Sequence, residues 1–261
     1  MRSCGHPGSF DVLSQGTTPA GTDNERQASA WVRNMFGQIV PRYDLLNHLL
    51  SMNIDRYWRA RTVSRVSHLL HQPDARVLDI CCGTGDLMLA LQTRGRAQVF
   101  GSDFCHPMLV TARRKAEQRR AHSPLFEADA LELPLADASF DLVTAAFGFR
   151  NLANYRRGLE ELRRVLKPGG WLAILEFSTP PNALLARGYG FYSRAILPRV
   201  GGWLSGSKDA YTYLPESVRK FPDAEGLADQ MRAAGFTNVR FDRMTAGIVA
   251  LHVGERSRNR F

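Results

Sequence analysis

An acidic residue followed by a glycine-containing turn is the feature of this sequence whose residue types and spacing could do chemistry. Asp79 lies in the short apolar run Arg76–Ile80, which is followed by small residues and then by a run of good helix formers. A strand, a small-residue turn and a helix form the unit that binds nucleotides in α/β sheets. Gly83 and Gly85 let the backbone turn sharply and approach a ligand closely. A helix that begins at Asp86 directs its free N–H groups toward that ligand.

The same turn lacks the features of two common nucleotide-binding loops. A dinucleotide-binding loop has a third glycine three residues after Gly85, where this chain has Met88. A P-loop requires Gly-Lys-Ser/Thr, which is absent. The acid at the strand end, the turn around Thr84 and the acid that opens the helix suit a ligand with an ammonium and a ribose, and S-adenosylmethionine is such a ligand. The alternative is a strand–helix turn that binds nothing.

Two further acids follow the next two predicted strands. Asp103 stands about twenty residues beyond the glycine turn, where a carboxylate reaches the ribose diol in this architecture. Asp129 is placed to accept a hydrogen bond from an adenine amine, with the N–H of Ala130 donating to the ring. The alternatives are that Asp103 only caps the helix that follows it and that Asp129 only forms a turn.

Composition limits the class of protein. The chain has 261 residues, of which 44% are hydrophobic, and this is enough for one domain with appendages. It has no apolar run of about 18 residues and no apolar signal core at its N-terminus, so we expect a cytoplasmic protein without a transmembrane helix. The four cysteines form no metal pattern, and we expect no metal site.

The net charge of +9 indicates an anionic partner or surface, or favours solubility alone. The basic residues are spread over predicted helix faces, and no RNA-binding signature or zinc knuckle accompanies them. We therefore expect solvated helix faces and no nucleic-acid partner, although a basic nucleic-acid-binding module with a vestigial cofactor fold is the competing interpretation. The sequence does not determine the oligomeric state.

Composition shifts also divide the chain. Residues 1–25 are rich in Gly, Ser, Thr and Pro and predict a disordered tail, whereas 26–261 predict one domain. Residues 26–72 have helical periodicity and predict a helical cover over the cofactor side, with the first helix broken at Pro41. The segment 179–217 is aromatic and interrupted by glycine, and it predicts a helical lid over the carboxyl ends of the strands.

The rest of the domain alternates predicted strands and helices, which is typical of an α/β fold with a mostly parallel sheet. The breaker cluster at 167–170 is expected to separate a helix from the fifth strand. The last two predicted strands, at 238–243 and 248–253, have no helix between them and therefore predict an antiparallel hairpin at the sheet edge.

From Met35 to Gly254 the chain resembles the ubiquinone/menaquinone biosynthesis C-methyltransferases, a branch of the class I S-adenosylmethionine-dependent methyltransferases. The turn Gly83-Thr-Gly-Asp86 is common to many methyltransferases. More specific to this family are the stretches Tyr43-Asp-Leu-Leu-Asn47, Ala146-Phe-Gly-Phe-Arg-Asn151 and Tyr213-Leu-Pro-Glu-Ser217, and Thr245-Ala-Gly-Ile-Val-Ala-Leu-His252 also matches. The resemblance implies a seven-stranded sheet in the order 3-2-1-4-5-7-6, with cofactor contacts at the Gly83-Thr84-Gly85 turn, at Asp103 and at the Asp129–Ala130 pair.

The reaction that the resemblance implies is methyl transfer from S-adenosylmethionine to a ring carbon of a polyprenylated quinol. We expect demethylmenaquinol as the acceptor; the ubiquinone precursor (a polyprenyl-methoxy-benzoquinol) and another small molecule or lipid are the alternatives. Tyr43, Asn47 and Arg150 are the substrate-side candidates, with Arg150 placed to stabilise a quinolate oxygen, and no general base is identified. For Asn47 the alternative is a helix cap. The lid and the N-terminal helices are expected to line a groove for the isoprenoid tail, and the basic surroundings favour peripheral contact with an anionic membrane.

Three positions depart from the pattern of the family. Cys81 stands where the general methyltransferase loop has glycine, so a positive φ is not expected to be freely available there. Asp55 replaces the usual His, which weakens a substrate role for that position. Ala146 replaces a Ser of some members, and no side-chain contact to the cofactor is expected from it.

Overall fold

A computed structural model of the chain describes residues 16–191 and 208–258. Numbered within those residues, the helices are α1 Glu25–Leu50, α2 Ile54–Arg65, α3 Ser67–Leu70, α4 Asp86–Gln92, α5 His106–Gln118, α6 Tyr155–Val165, α7 Ala183–Phe191, α8 Lys208–Lys220 and α9 Ala224–Ala233. The strands are β1 Arg76–Ile80, β2 Gln98–Asp103, β3 Leu125–Glu127, β4 Phe140–Ala146, β5 Leu166–Phe177, β6 Phe236–Met244 and β7 Val249–Arg256. Short 3₁₀ turns lie at Phe149–Asn151 and Thr245–Gly247.

The seven strands form one sheet in the order β3-β2-β1-β4-β5-β7-β6. The first five in sequence pair in parallel, and β7 pairs antiparallel with both β5 and β6. Both the predicted order and the predicted antiparallel edge are confirmed. Because parallel strands must be covered on both faces, β1 and β4 are apolar and buried along almost their whole length.

The core consists of two apolar clusters, one on each face of the sheet. Successive residues of β1 alternate between them: Leu78 and Ile80 belong to one cluster and Val77 to the other. The first cluster is completed by α6 and α9, and the second by α2, α3 and α4. The sheet therefore has helices on both faces, which leaves the carboxyl ends of β1, β2 and β4 as the place where side chains can converge on a ligand.

Two predicted breaks do not occur. Helix α1 continues through Pro41, which has no N–H to donate to the carbonyl of Gly37. Val32 and Ile39 before the proline and Tyr43 after it pack into one apolar cluster, and this packing keeps the helix continuous. The predicted breaker cluster is a bulge inside β5, where Gly169 has a φ of 81°.

The described part of the predicted N-terminal tail contacts the domain. Disorder is predicted to residue 25, but Thr17 is buried, its N–H donates to the carbonyl of Leu152 (2.8 Å), and its hydroxyl lies 2.7 Å from the Tyr213 hydroxyl. Residues 1–15 lie outside the described residues. So does the middle of the predicted lid, residues 192–207 with Tyr192, Ile196, Leu197 and Trp203. None of the helices in the described ranges has the length and apolarity that crossing a bilayer requires.

Candidate functional site

Two neighbouring cavities lie at the carboxyl ends of the central strands. The first, here called the strand-end cavity, is lined by the ends of β1, β2 and β4 and by the loop after β3, including Cys81, Gly83, Asp103, Asp129 and Gly148. The second, here called the apolar cavity, has a volume of about 480 Å³ and is lined mainly by α1, α2, α7 and α8, including Met35, Ile39, Trp58, Leu184 and Val218. This size and lining are typical of a site for an apolar small molecule.

Asp103 connects the two loops that form the floor of the strand-end cavity. Its Oδ2 accepts the N–H of Gly83 (2.8 Å), and its Oδ1 accepts the N–H of Cys105 (2.9 Å). Burial raises the pKa of the Asp103 carboxyl to about 6, although these backbone hydrogen bonds favour its ionised form. Both interpretations of Asp103 therefore have a structural counterpart: the carboxylate binds an N–H at the start of α5, and it also lines the cavity.

The other side of the strand-end cavity is formed by Asp129 and Ala130. Oδ1 of Asp129 accepts the N–H of Leu131 (3.0 Å), so Asp129 does form the turn that was its alternative role. Ser102 also lines this cavity, and its hydroxyl is buried and has no hydrogen-bond partner among the described residues. A buried hydroxyl without a partner requires a ligand or water, so the lining fits a polar group bound between β2 and the loop after β3.

The glycine turn has the backbone conformation that its sequence predicts. Gly83 and Gly85 have φ values of 56° and 85°, and Gly85 is the residue from which α4 starts. Gly83 lines the strand-end cavity, whereas Thr84 and Gly85 do not. The Thr84 hydroxyl instead donates to Oδ1 of Asp44 (2.5 Å) and accepts from Lys115 (2.9 Å). A contact between the Thr84 side chain and the cofactor stays a prediction.

Lys115 is a residue that the sequence analysis missed. Its ammonium lies 2.6 Å from Oδ2 of Asp44 and 2.8 Å from Oδ1 of Asp86, in addition to the contact with Thr84. Here we call these four residues the Lys115 cluster, which joins α1, the glycine turn and α5. Burial would raise the pKa of the Asp86 carboxyl, but Arg59 and Lys115 outweigh it and hold that pKa below its ordinary value. Lys115 belongs to a basic run that was interpreted as solvated, and no local pattern marks it.

Asp79, the acid of β1 that was expected to face the cofactor, does not line either cavity. It is buried within β1, accepts the hydroxyl of Thr144 (2.6 Å) and receives the backbone N–H of Met88 in the first turn of α4. Burial raises the pKa of the Asp79 carboxyl to about 7. Its place is therefore between strand and helix, where it holds the start of α4 against the sheet.

Three aromatic residues line both cavities: Phe36 and Tyr43 of α1 and Phe147 at the end of β4. The two cavities therefore meet at these side chains. Burial raises the pKa of the Tyr43 phenol, which hydrogen-bonds to Asn47 one helical turn later. Asn47 lines the apolar cavity and lies within α1, so it does not cap a helix.

Arg150 also lines the apolar cavity and is almost fully buried. Its Nη1 donates to Oε1 of Glu176 (2.9 Å) and to the carbonyl of Phe147, and its Nε lies 3.4 Å from the Ser217 hydroxyl. Glu176 is the partner that sequence reasoning missed, because it lies in the mostly apolar end of β5, residues 171–177. The pair fixes the guanidinium at the wall of the cavity, close to the residues shared with the strand-end cavity.

Two residues that line the strand-end cavity are in the left-handed backbone region. Cys81 has a φ of 49° and Phe147 a φ of 58°, so the expectation that Cys81 would avoid a positive φ is wrong. Gly148 packs against Cys81, and a Cβ on Gly148 would lie 2.4 Å from the Cβ of Cys81. Burial raises the pKa of both the Cys81 and the Cys82 thiols well above its usual value, so neither is a thiolate nucleophile.

Asp55, the second departure from the family pattern, forms a pair with a histidine. Its Oδ2 lies 2.8 Å from Nδ1 of His48 and accepts from Arg59, and its Oδ1 accepts from Ser51 (2.8 Å). Burial would raise the pKa of the Asp55 carboxyl, but the hydrogen bonds from Ser51 and Arg59 and the charge of Arg59 bring it below its ordinary value. Asp55 stands on α2 where the family usually has His. Here the imidazole of His48 on α1 contacts Asp55 instead, and Asp55 lines the apolar cavity.

No group of three or more His, Cys, Asp or Glu side chains that could hold a metal ion occurs in the part of the chain that the structure describes. The polar groups that line the two cavities include the carboxylates of Asp103 and Asp129 and the buried guanidinium of Arg150.

Comparisons with known proteins agree with this geometry. The model of the ubiE/COQ5 methyltransferase family matches residues 22–256. A demethylmenaquinone methyltransferase of Thermus thermophilus is 51% identical over 223 residues, covering 85% of this chain and 100% of that protein. One of Deinococcus radiodurans is 46% identical over 246 residues, covering 94% and 100%. A ubiquinone/menaquinone biosynthesis C-methyltransferase UbiE of Geotalea daltonii is 40% identical over 229 residues, covering 86% and 96%.

Solved structures share the fold at lower identity. The [4+2]-cyclase SpnF superposes with a TM-score of 0.66 at 18% identity, covering 94% of this chain and 100% of that chain. An S-adenosylmethionine-dependent methyltransferase of Thermotoga maritima, described as a possible histamine N-methyltransferase, gives a TM-score of 0.60 at 21% identity, covering 86% and 99%. At these identities the likeness concerns the fold alone.

The contact between Gly148 and Cys81 generates a prediction about stability. Gly148 has a φ of −119°, which alanine adopts easily, so Gly148→Ala should destabilise only through its clash with Cys81. We expect a loss of about 1–3 kcal/mol in the free energy of unfolding, measured by urea denaturation. In the Cys81→Gly background the same substitution should cost much less.

The matched control is Gly37→Ala, since a Cβ there meets no atom within 4 Å and alanine favours a helix. An equal cost of Gly148→Ala in both backgrounds would show that the clash is not the cause.

Proposed function

The chain belongs to the ubiE/COQ5 methyltransferase family, and we propose that it transfers a methyl group from S-adenosylmethionine to a ring carbon of a polyprenylated demethylmenaquinol. Relatives named demethylmenaquinone methyltransferase support this acceptor. The observation that carries the proposal is that the strand-end cavity and the apolar cavity meet at Phe36, Tyr43 and Phe147. Holding donor and acceptor on either side of this boundary supplies the proximity and orientation that can contribute about 7–11 kcal/mol to catalysis.

The strand-end cavity is the proposed site of the cofactor. Asp103 accepts hydrogen bonds from the ribose hydroxyls, and Asp129 and the N–H of Ala130 bind the adenine edge. Gly83 lets the backbone come close to the ligand, and the unpartnered Ser102 hydroxyl gains a partner there. S-adenosylmethionine, when bound, supplies an electrophilic methyl group on a sulfonium.

The apolar cavity is the proposed site of the quinol. Loss of a proton from a quinol hydroxyl makes the adjacent ring carbon nucleophilic, and the Arg150 guanidinium stabilises the negative charge that develops on that oxygen. Glu176 holds the guanidinium in place before the substrate binds. Tyr43 and Asn47, which hydrogen-bond to each other, orient the ring at the boundary with the strand-end cavity.

The isoprenoid tail extends from the ring along the apolar part of the same cavity, where α7 contributes Leu184 and Leu185 and α8 contributes Val218. Because such a tail is insoluble in water, the protein works as a peripheral protein at the inner face of the membrane. The net charge of +9 favours contact with anionic lipids.

A ubiquinone precursor is the second candidate acceptor. Relatives at 40% and 43% identity are named ubiquinone/menaquinone biosynthesis C-methyltransferase UbiE, and that name covers both pathways. Both acceptors are reduced quinols with a polyprenyl tail, so the apolar cavity suits either.

The proposal is tested by incubating the protein with methyl-labelled S-adenosylmethionine and a panel of reduced acceptors. The panel contains a demethylmenaquinol, a polyprenyl-methoxy-benzoquinol, an ethanolamine phospholipid and the oxidised quinone of each ring type. We expect label on the ring carbon of the demethylmenaquinol, less on the benzoquinol, and none on the lipid or on the oxidised rings. Labelling of the lipid alone would contradict the proposed substrate class.

The pKa of Asp103 predicts the pH dependence of cofactor affinity. The ionised carboxylate is the better acceptor for two ribose hydroxyls, and its pKa is raised to about 6. Affinity should therefore be full above about pH 7 and fall as the pH decreases below about 6, by at most tenfold per pH unit. Isothermal titration calorimetry measures it. Asp103→Asn should bind weakly without this pH dependence, and the exposed Asp229→Asn should behave as the parent.

Arg150 is tested best by a conservative change. Arg150→Ala would leave Glu176 buried without its partner and destabilise the fold by several kcal/mol. Arg150→Lys keeps the charge but loses the planar fork. We expect its turnover to fall about 100-fold, with little change in the dissociation constant of the cofactor. Arg164→Lys, in an ion pair away from both cavities, is the control. An unchanged turnover in Arg150→Lys removes Arg150 from the mechanism.

A further inference from the structure

The large hydrophobic side chains that are exposed are concentrated at the opening of the apolar cavity. Seven such residues occur among the described ranges, and one of them, Val110, lies apart on α5. The other six lie on the last two turns of α1, in the turn that follows it, and on the first turns of α2 and α7: Leu45, Leu49, Met52, Tyr57, Leu184 and Leu185. Met52, Leu184 and Leu185 also line the apolar cavity, so these three residues belong both to the exposed patch and to the cavity wall.

The exposure of these side chains is large. Leu45, Met52 and Leu184 are 65%, 74% and 78% exposed. Single exposed leucines are ordinary on a protein surface, but a contiguous group around one opening marks a surface that another apolar phase covers.

Basic residues flank the patch on α2. Arg56, Arg61 and Arg65 are exposed on this helix, and Arg61 and Arg65, one helical turn apart, share one face of it. Arg61 and Arg65 line a polar groove between α2 and β6, and Thr245 lines both this groove and the apolar cavity. Two acidic residues belong to the same elements as these arginines and the groove. Asp242 of β6 lines the groove, whereas the carboxylate of Asp55 on α2 is buried in its pair with His48 and Arg59.

We propose that the patch formed by Leu45, Leu49, Met52, Tyr57, Leu184 and Leu185 inserts into an anionic lipid bilayer while the arginines of α2 contact the headgroups. This inference rests on the proposed function, since it gives a polyprenyl tail a path from the lipid into the apolar cavity without crossing water. An apolar patch beside a row of cations is the pattern that binds the interface of an anionic membrane.

The charges favour a bilayer over a second copy of the chain. An isologous dimer formed through this patch would bring the arginines of two α2 helices close together, and like charges at short range oppose association. An anionic surface instead attracts the same residues, and its attraction decreases as salt is added.

The test is flotation of the full chain with vesicles of phosphatidylcholine, with or without phosphatidylglycerol. We expect the parent to bind the anionic vesicles and to be released by salt. Leu45→Asp/Leu49→Asp should reduce binding about tenfold or more, and the matched control Val110→Asp should bind as the parent does. Arg61→Glu/Arg65→Glu should lose the preference for anionic vesicles, whereas Arg113→Glu/Arg114→Glu on α5 should keep it.

Two vesicle-binding results overturn the proposal: a parent that does not bind anionic vesicles at low salt, and a Leu45→Asp/Leu49→Asp variant that binds them as well as the parent. Leu45 and Leu49 line neither cavity, so this variant should methylate a short-tailed, water-soluble demethylated quinol at the parent rate. Loss of that activity in the variant assigns the two leucines to the fold and overturns the proposal. If the parent binds vesicles but methylates no quinol, the proposed function is contradicted and the membrane-binding surface is still supported.

Discussion

The position of α1 across the strand ends is the constraint on which both cavities depend. The helix supplies Phe36 and Tyr43 to the strand-end cavity and Asn47 to the apolar cavity. It is attached to the sheet at its C-terminal half by the Lys115 cluster, in which one ammonium lies between Asp44 of α1 and Asp86 of α4. An exposed ion pair contributes little to stability, but a partly buried set of three charges and a hydroxyl fixes geometry. The three named residues of the Tyr-Asp-x-x-Asn stretch then have separate positions: Tyr43 lies at the boundary, Asp44 holds the helix and Asn47 lines the apolar cavity.

The walls of the two cavities contain features that lower the stability of the fold. Cys81 and Phe147 both adopt the left-handed backbone region, which disfavours side chains, and Gly148 must lack a Cβ to fit beside Cys81. Arg150 and Glu176 form a buried ion pair, and such a pair stabilises a fold less than apolar packing of the same volume. Strain and buried charge occur together where a methyl donor and a quinol would meet, which is where function rather than stability sets the choice of residues.

Much of the fold and part of the site could be predicted from the sequence, because those features are local. Asp103 and Asp129 follow short apolar runs at strand ends, so both acids were placed at the correct edge of the sheet, and the Gly83–Gly85 turn was recognised by its residue types. What failed depended on packing between distant residues. Pro41 does not end a helix that is held by apolar contacts on both sides. The contacts of the Thr84 hydroxyl with Asp44 and Lys115 likewise join residues far apart in the chain, and the sequence does not indicate them. No pattern in the sequence pairs Arg150 with Glu176 or His48 with Asp55.

The central claim is that donor and acceptor occupy two cavities that meet at Phe36, Tyr43 and Phe147. It is tested most directly by a crystal structure of the protein with S-adenosylhomocysteine, the cofactor without its methyl group, and a demethylated quinol. The account predicts the thioether sulfur in the strand-end cavity, the ring beside Phe147 and Arg150, and one unsubstituted ring carbon facing the sulfur across a gap that a methyl group would fill. A quinol ring bound elsewhere, or separated from the sulfur by the side chain of Tyr43 or Phe147, would contradict it.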